Sequence, residues 1–332
     1  MSEKNTRDIP LLGKFTPKPR RLDRLAKQIL FKRLTNLVHG SIIIIDKTAD
    51  VKTEVKFGSS QSLSALDDVH VVLEVKNSQF YGEVVFGGSI GAGEAYMQGY
   101  FDCDNLTNLI RLMVRNQSLL DTIESSFARL TSPIQKWLHI VNKNTQAGSR
   151  RNIAAHYDLG NDFFKLMLDP TMMYSSAIFE NSKQSLEDAS LAKLKSICKK
   201  LDLKEHDHVL EIGTGWGGFA IYAAKNYGCK ITTTTISQQQ YLLAVERIKA
   251  AGLEDKIEVL LSDYRDLTGT YDKLVSIEMI EAIGHQFYDT YFAQCSRLLK
   301  PNGMMLLQAI TIADQRYASA IKSVDFIQRY IF

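Results

Sequence analysis

An apolar strand that runs into a glycine-rich turn and then a helix is the feature that most constrains the fold of this chain. The segment 208–218 reads HVLEIGTGWGG, and the helical pattern GFAIYAAKNY begins at its last glycine. Gly213 and Gly215 allow a tight turn and the close approach of a ligand to the backbone, and Gly217 and Gly218 let the helix begin against the sheet. The first turn of a helix offers unpaired N–H groups, so the segment predicts a ligand site at the carboxyl end of a strand.

Strand and helix patterns alternate along the chain from about residue 185. The predicted strands are 208–212, 230–235, 257–262, 273–278 and 303–310, and the predicted helices are 185–201, 218–227, 239–252 and 286–299. Such alternation is typical of parallel strands with helices on both faces. We therefore predict an α/β fold with a doubly wound sheet.

The first part of the chain has a different pattern. We interpret residues 1–20 as a flexible polar tail and residues 21–120 as a small α+β domain. Four β-rich runs, SIIIIDK, TEVKFG, VHVVLEV and GEVVFGGS, are separated by Gly, Asn and Asp, and the helical pattern DNLTNLIRLMV follows them. Residues 121–150 are predicted to form a helical connector that ends in the polar stretch NKNTQAGSRR, the best candidate for a domain boundary.

Positive charge is concentrated near the N-terminus. The whole chain of 332 residues has a net charge of +3, which does not by itself indicate a nucleic-acid-binding protein. Residues 1–40, however, contain ten basic and three acidic residues, so this segment carries +7 and the rest carries −4. Within it, residues 21–38 show an amphipathic helical pattern with a basic face. Such a helix can lie on an anionic lipid surface, or it can cover its own domain and turn the basic face to solvent.

Cysteine spacing and hydropathy exclude several classes of protein. The four cysteines lie far apart without a CxxC pair, so neither a metal site nor a disulfide framework is predicted, and reduced thiols fit best. No run approaches the ~18–20 apolar residues that span a bilayer, and the N-terminus has no apolar signal core. We therefore predict a cytoplasmic protein, soluble or peripheral to the membrane. The chain ends in the apolar segment RYIF, from which we expect a C-terminal part to be missing.

The glycine turn also discriminates between nucleotide cofactors. The run G-T-G-W-G-G departs from the G-x-G-x-x-G of NAD-binding turns, and the strand 230–235 ends in threonines where NAD-binding proteins place an acid for the ribose. The acid stands instead at Glu211, and the resulting E-x-G-x-G resembles the pattern of S-adenosylmethionine-dependent methyltransferases. Asp263 and Tyr264 follow the third strand, where an acid or an aromatic ring can hydrogen-bond or stack on adenine.

Further segments make the resemblance more specific. The chain resembles the cyclopropane-fatty-acyl-phospholipid synthase family, which includes the mycolic acid cyclopropane synthases. The segments that carry the likeness are 87–109, 156–179, 235–240, 263–267, 276–284, 288–292 and 306–311. The resemblance implies a class I methyltransferase (Rossmann-like) domain over residues 151–332, incomplete at its C-terminus. It also implies methyl transfer from S-adenosylmethionine to the double bond of an unsaturated phospholipid acyl chain, followed by closure of a cyclopropane ring.

The resemblance assigns roles to individual residues. The expected cofactor-binding residues are Tyr174, Ser175, Glu211, Gly213, Gly215, Trp216, Gly217, Thr235, Gln240, Asp263, Tyr264 and Arg265. Family members hold a bicarbonate ion as proton acceptor with a Cys, a Glu, a His, an Ile and a Tyr. Glu281 and Ile310 match two of these positions, Ser176 and Gln308 stand where the Cys and the His are found, and the Tyr falls beyond residue 332. Ser and Gln retain hydrogen-bonding capacity toward an anion, but neither titrates near neutrality as His does.

Three alternatives stay open at the level of sequence. The same fold can give a methylated or methylene-branched acyl chain without ring closure, or it can serve a small soluble metabolite. The chain can also be a non-catalytic lipid-binding or scaffold protein. Methyl transfer to a phospholipid acyl chain implies peripheral contact with a membrane that holds the unsaturated phospholipid. The family resemblance also allows a homodimer. Neither nucleic acid nor a metal ion is expected as a partner.

Overall fold

The computed structural model describes residues 21–49, 51–58, 69–119 and 160–321, together with residues 326 and 330. The chain divides into two units, Met1–Trp137 and Leu138–Phe332. The predicted tail (1–20) and the predicted connector (121–150) lie outside the described residues.

The first unit combines a four-stranded sheet with three described helices. Its elements are α1 (Arg21–Leu34), β1 (Ser41–Asp46), β2 (Thr53–Gly58), β3 (His70–Val75), α2 (Gln79–Met97), β4 (Phe101–Cys103) and α3 (Leu106–Arg115). The strand order is β2-β1-β3-β4, with β1 parallel to β3 and the two outer pairs antiparallel. Ala26, Leu30 and Leu34 of α1 are buried in the same core as Ile42 and Ile44 of β1, so α1 covers its own domain.

The prediction of a β-rich run at GEVVFGGS was wrong, because this segment lies within α2. Tertiary packing overrides the strand preference of its valines: Tyr81 and Val85, four residues apart, are buried in the core on one face of the helix. Gly88 has φ +58° and kinks the helix. A Cβ at Gly91 would lie 2.0 Å from the carbonyl oxygen of Glu83. The part of α2 after the kink therefore lies closer to the backbone of the part before it than a side chain would permit.

The second unit is an alternating α/β domain. Its elements are α4 (Asn161–Met167), α5 (Leu186–Lys200), β5 (His208–Ile212), α6 (Gly218–Tyr227), β6 (Lys230–Thr235), α7 (Gln238–Ala250), β7 (Ile257–Leu261), β8 (Tyr271–Ile277), α8 (Tyr288–Leu298), β9 (Leu299–Gln308) and α9 (Asp314–Ala320). Short 3-10 turns follow β7 and β8.

The sheet of this unit confirms the predicted doubly wound fold. The strand order is β7-β6-β5-β8-β9, and every pairing is parallel. Adjacent residues of β5 face opposite layers: Val209 packs into the cluster that contains Phe219 of α6, and Leu210 packs into the cluster that contains Tyr291 of α8. The chain reverses its direction of progress across the sheet at β5, so the carboxyl end of β5 lies at the switch point where doubly wound folds bind ligands.

A buried carboxylate in the first unit ties α1 to the sheet. Asp46 accepts hydrogen bonds from Lys27, from Tyr81 (2.7 Å) and from the backbone and hydroxyl of Thr48 (2.7 and 2.6 Å). Burial by itself raises the pKa of Asp46, but the bonds from Lys27, Thr48 and Tyr81 outweigh burial and lower the pKa to about 2. The ionised form is therefore favoured in the folded unit.

We expect Asp46→Asn to lower the free energy of unfolding at pH 7 by about 2 kcal/mol, because the folded state loses a carboxylate that it stabilises. Since the folded pKa is depressed, this contribution is present above the unfolded pKa of 3.8 and is lost as pH falls from there toward 2. Asp102→Asn is the matched control, because the Lys76–Asp102 pair is solvent-exposed and should contribute little to stability. Urea unfolding of both variants at pH 7 measures the difference; equal losses would contradict the assignment.

Candidate active site

The glycine turn after β5 has the backbone conformation that its sequence predicts. Gly213, Gly215 and Gly217 have φ values of +103°, +52° and +82°, in the region that favours glycine. The turn is anchored to β6, because the amides of Gly213 and Thr214 donate to the carbonyl of Thr234 at 3.1 and 3.0 Å. A Cβ at Gly215 would meet no atom within 4 Å, so the backbone at this point faces open space. The turn can therefore be approached closely by a ligand.

Gly218 has a different role from the glycines before it. A Cβ at this position would lie 2.6 Å from the carbonyl oxygen of Thr171 and 2.7 Å from the sulfur of Met173. The missing side chain therefore lets the segment around Thr171 pass directly over the beginning of α6.

Glu211 lies in the interior, two residues before the turn. Its side chain is 2% exposed, and its carboxyl group accepts a hydrogen bond from the hydroxyl of Thr233 at 2.6 Å. Thr233 is in turn 2.7 Å from the hydroxyl of Thr214, so β5, β6 and the turn share one polar network. Burial raises the pKa of Glu211 to about 8, and the bond from Thr233 only partly opposes this effect. A positive charge placed beside the turn would favour the ionised carboxylate.

The carboxyl end of β6 presents a second buried polar pair. The hydroxyl of Thr235 donates to the side-chain oxygen of Gln240 at 2.8 Å. The backbone N–H of Gln240 donates to the hydroxyl of Ser237, which caps α7. The two predicted residues Thr235 and Gln240 are thus brought together at the carboxyl edge of the sheet, next to the glycine turn. Their orientation is fixed before any ligand binds.

The carboxyl end of β7 carries an ion pair. Asp263 is 2% exposed and binds Arg265 through the backbone amide (3.0 Å), Nε (2.8 Å) and Nη2 (2.7 Å). The hydrogen bond to Asp263 raises the pKa of Arg265. The guanidinium of Arg265 lies over the ring of Tyr264, and the ring centroids of Tyr264 and Tyr291 are 5.3 Å apart. The three predicted residues are therefore adjacent, with the carboxylate of Asp263 bound to Arg265.

The segment that carries Tyr174 and Ser175 is held against the turn by an aromatic cluster. Phe164 packs between Tyr174 and Trp216, with ring centroids 5.3 and 4.8 Å away. Trp216 is 1% exposed, and its indole N–H donates to the side chain of Asn161 at 2.8 Å. The ring of Trp216 thus supports the turn from behind, whereas Tyr174 is about half exposed.

One arginine joins three parts of this region. Arg247 of α7 donates to the carbonyl of Trp216 at 2.6 Å, and it also donates to the carbonyls of Pro170 (2.9 Å) and Thr171 (3.2 Å). The glycine turn, helix α7 and the segment that precedes Tyr174 are therefore connected by a single guanidinium.

The four residues predicted to be catalytic fall into two contacting pairs. Gln308, at the end of β9, donates through Nε2 to the hydroxyl of Ser176 at 3.1 Å. The backbone amide of Ile310 donates to Glu281, which lies in the 3-10 turn after β8. Glu281 and Ile310 are both exposed. All four residues lie at the carboxyl ends of β8 and β9 or in the loop that reaches them.

Besides Arg247, two charged residues next to the predicted catalytic residues were not predicted from the sequence. Glu278 accepts from both Ser176 and Gln308, and Lys193 of α5 binds the hydroxyl of Ser175. Lys193 is 2% exposed, and burial lowers its pKa to about 8 against the opposing charges of Glu278 and Asp169. Two acids three residues apart, in SIEMIE, are a weak signal for Glu278; the helical pattern around Lys193 contains no signal at all.

Comparisons with known proteins give a consistent result. The family model of the mycolic acid cyclopropane synthetases matches residues 144–332. The cyclopropane-fatty-acyl-phospholipid synthase of Escherichia coli is 41% identical over 78% of this chain and 65% of its own length. A tuberculostearic acid methyltransferase of Mycobacterium tuberculosis is 38% identical over 74% of this chain and 58% of its own length. The chain thus spans less than two thirds of the length of these relatives.

A solved structure supports the fold. A cyclopropane synthase from Mycobacterium tuberculosis is 32% identical, with a TM-score of 0.51, over 55% of this chain and 67% of its own length. The second unit is therefore a Rossmann-like class I methyltransferase domain, as predicted. Together with the family match, this result shows that the chain belongs to the mycolic acid cyclopropane synthetase family.

Proposed function

We propose that the chain binds S-adenosylmethionine at the turn after β5 and transfers its methyl group to the double bond of an unsaturated phospholipid acyl chain, with closure of a cyclopropane ring. The observation that carries this proposal is the joint placement of an open glycine turn and a cluster of hydrogen-bonded polar side chains at one edge of the sheet. Membership of the family supplies the reaction class.

The residues at the turn fit this cofactor. The open backbone at Gly215 leaves room for it, and the buried carboxyl of Glu211 suits a molecule that carries positive charge. In the proposal Thr235 and Gln240 bind the ribose hydroxyls, Asp263, Tyr264 and Arg265 surround the adenine, and Tyr174 and Ser175 complete the site. When bound, the cofactor supplies an electrophilic methyl group on a sulfonium.

Exposed apolar side chains favour a lipid acceptor over a small polar metabolite. Ile178 and Phe179 lie two and three residues after Ser176, and Ile310 and Ile312 lie two and four residues after Gln308; they are 43–67% exposed. An acyl chain gains affinity by covering such surface at roughly 25 cal/mol per Å². An alkene needs no deprotonation before it attacks a sulfonium, so the protein's task is alignment and placement of negative charge.

We further propose that the protein acts at the cytoplasmic face of a membrane. No helix within the described residues is both long and apolar enough to cross a bilayer. On α1, Leu22 and Leu25 are about half exposed and lie beside the basic residues Arg21 and Arg24, an arrangement suited to an anionic lipid surface. A homodimer, which the resemblance allows, stays a prediction.

Incubation of the full chain with methyl-labelled S-adenosylmethionine and vesicles of unsaturated phosphatidylglycerol tests the reaction. We expect label in the lipid fraction and high-field ring protons in the NMR spectrum of the extracted acyl chains. Vesicles of fully saturated lipid are the control and should stay unlabelled. Labelled lipid without ring protons would indicate methylated or methylene-branched products instead, and no labelled lipid at all would contradict the proposal.

We expect Gly215→Ala to weaken S-adenosylmethionine binding at least tenfold, because a methyl group would occupy the open side of the turn. Gly252→Ala is a matched control: Gly252 has φ +65° and, like Gly215, open space around its missing side chain, but it lies at the far end of α7. Both variants should lose about 1 kcal/mol of stability from backbone strain. Isothermal titration should show weakened binding only for Gly215→Ala; equal affinities would place the cofactor elsewhere.

Glu211 should make the ligand-free protein less stable as pH rises. Because its folded pKa is raised from 4.5 to about 8, the contribution of the protonated form is complete below about 4.5 and is lost between there and 8. Glu211→Gln should therefore be more stable than the parent at pH 8, by an amount on the order of 2–4 kcal/mol, and similar to it at pH 5. Glu254→Gln, at an exposed carboxylate, is the control for melting curves between pH 5 and 9. A gain at pH 8 that persists at pH 5 would argue against a buried titrating carboxyl.

A further inference from the structure

We propose that Glu278 is the proton acceptor for ring closure, so that the chain supplies its own carboxylate where the resemblance implies a bound bicarbonate. This inference rests on the proposed function and names the residue that completes it.

The backbone at Glu278 is in an unfavourable conformation for a residue with a side chain. Glu278 directly follows β8 and has a φ of +48°, one of three such residues other than glycine within the described ranges. This conformation is strained for a residue with a Cβ, and the surrounding structure must maintain it. The amide of Glu278 donates to the carbonyl of Gln308 at 2.9 Å, which fixes the residue to the neighbouring strand β9.

Donors from two separate segments converge on one oxygen of this carboxylate. Oε1 of Glu278 accepts from the amide of Ser176 at 3.0 Å, from the hydroxyl of Ser176 at 3.1 Å and from Nε2 of Gln308 at 2.7 Å. All three of these hydrogen bonds are accepted by Oε1 of Glu278. We therefore assign the proton to the second oxygen, Oε2.

These contacts use the residues that were expected to hold an anion. Ser176 and Gln308 stand where family members place a Cys and a His around bicarbonate, and here both bind Glu278. A bicarbonate ion at the same place would have to compete with Glu278 for the donors of Ser176 and Gln308. A built-in carboxylate and a bound anion are therefore alternatives at this position.

Neighbouring charges support a negative group here. Lys193 is buried on α5, and its ammonium group interacts favourably with the charges of Glu278 and Asp169. Glu281, three residues after Glu278, binds the amide of Ile310. The region therefore contains two carboxylates at the end of β8, Glu278 held by Ser176 and Gln308 and Glu281 held by the backbone amide of Ile310, with a buried cation nearby.

The assigned step balances without a further reactant. After methyl transfer the acyl chain bears a positive charge on the carbon next to the newly methylated one. A C–H bond of the new methyl group then breaks: its electron pair forms the third C–C bond of the ring, and its proton passes to Oε2 of Glu278. Glu278 is half-buried, so the proton can afterwards leave to solvent.

Glu278→Gln tests the assignment, because Gln retains the shape and the acceptor oxygen for Ser176 and Gln308 but cannot take up a proton. We expect the yield of ring product to fall by ~100-fold, the range for loss of a general base, while the affinity for S-adenosylmethionine in isothermal titration stays within a factor of two. Glu278→Asp should recover part of the ring product, and Glu254→Gln should leave it unchanged. Unchanged ring formation in Glu278→Gln would overturn the inference.

Bicarbonate provides a second readout that needs no cofactor. In ¹³C NMR with labelled bicarbonate, we expect no saturable binding by the parent chain and measurable binding by Glu278→Gly, where the donors of Ser176 and Gln308 are released. Removal of carbon dioxide from the assay should leave the parent's activity unchanged. Saturable binding by the parent, or activity that requires added bicarbonate, would overturn the role of Glu278. If the parent forms no methylated lipid at all, the proposed function fails, and the binding result still decides between carboxylate and bicarbonate.

Discussion

The parallel pairing of five strands is the constraint on which the rest of the second unit depends. Because β5, β6, β7, β8 and β9 run in the same direction, the residues that follow each strand meet at one edge of the sheet. Residues far apart in sequence thereby become neighbours: Glu278 and Gln308, separated by 30 positions, are 2.7 Å apart. Hydrogen bonds of the sheet, rather than local sequence, create the cluster.

Polar groups at this edge are fixed by the protein itself before any ligand arrives. Glu211 is bound by Thr233, Gln240 by Thr235, Asp263 by Arg265 and Glu278 by Ser176 and Gln308. A site whose dipoles are already oriented spends little free energy on reorganisation when charge develops. The cost is carried by the folded state, in the burial of Glu211 and in the positive φ of Glu278.

Much of the second unit could be predicted from sequence because its periodicity is strong and its turns are specific. The strand 208–212 and the helix 218–227 were predicted with the bounds that the structure has, since Gly213, Gly217 and Gly228 mark where each element must end or begin. The helix α2 could not be predicted in the same way, because its valines favour a strand locally, its glycines weaken a helix, and only burial of Tyr81 and Val85 decides for a helix. The role of Glu278 could not be predicted for a related reason: it depends on contacts with Ser176 and Gln308, which no local sequence pattern reveals.

The guanidinium of Arg247 connects the glycine turn to the loop before Ser176. Its three carbonyl partners belong to the glycine turn and to the loop that leads to Ser176. A displacement of the turn by a fraction of an ångström must either stretch these bonds or carry the loop along with it. In the proposed function, cofactor binding at the turn would thus be mechanically linked, through Arg247, to the alignment of the groups proposed to face the acyl chain.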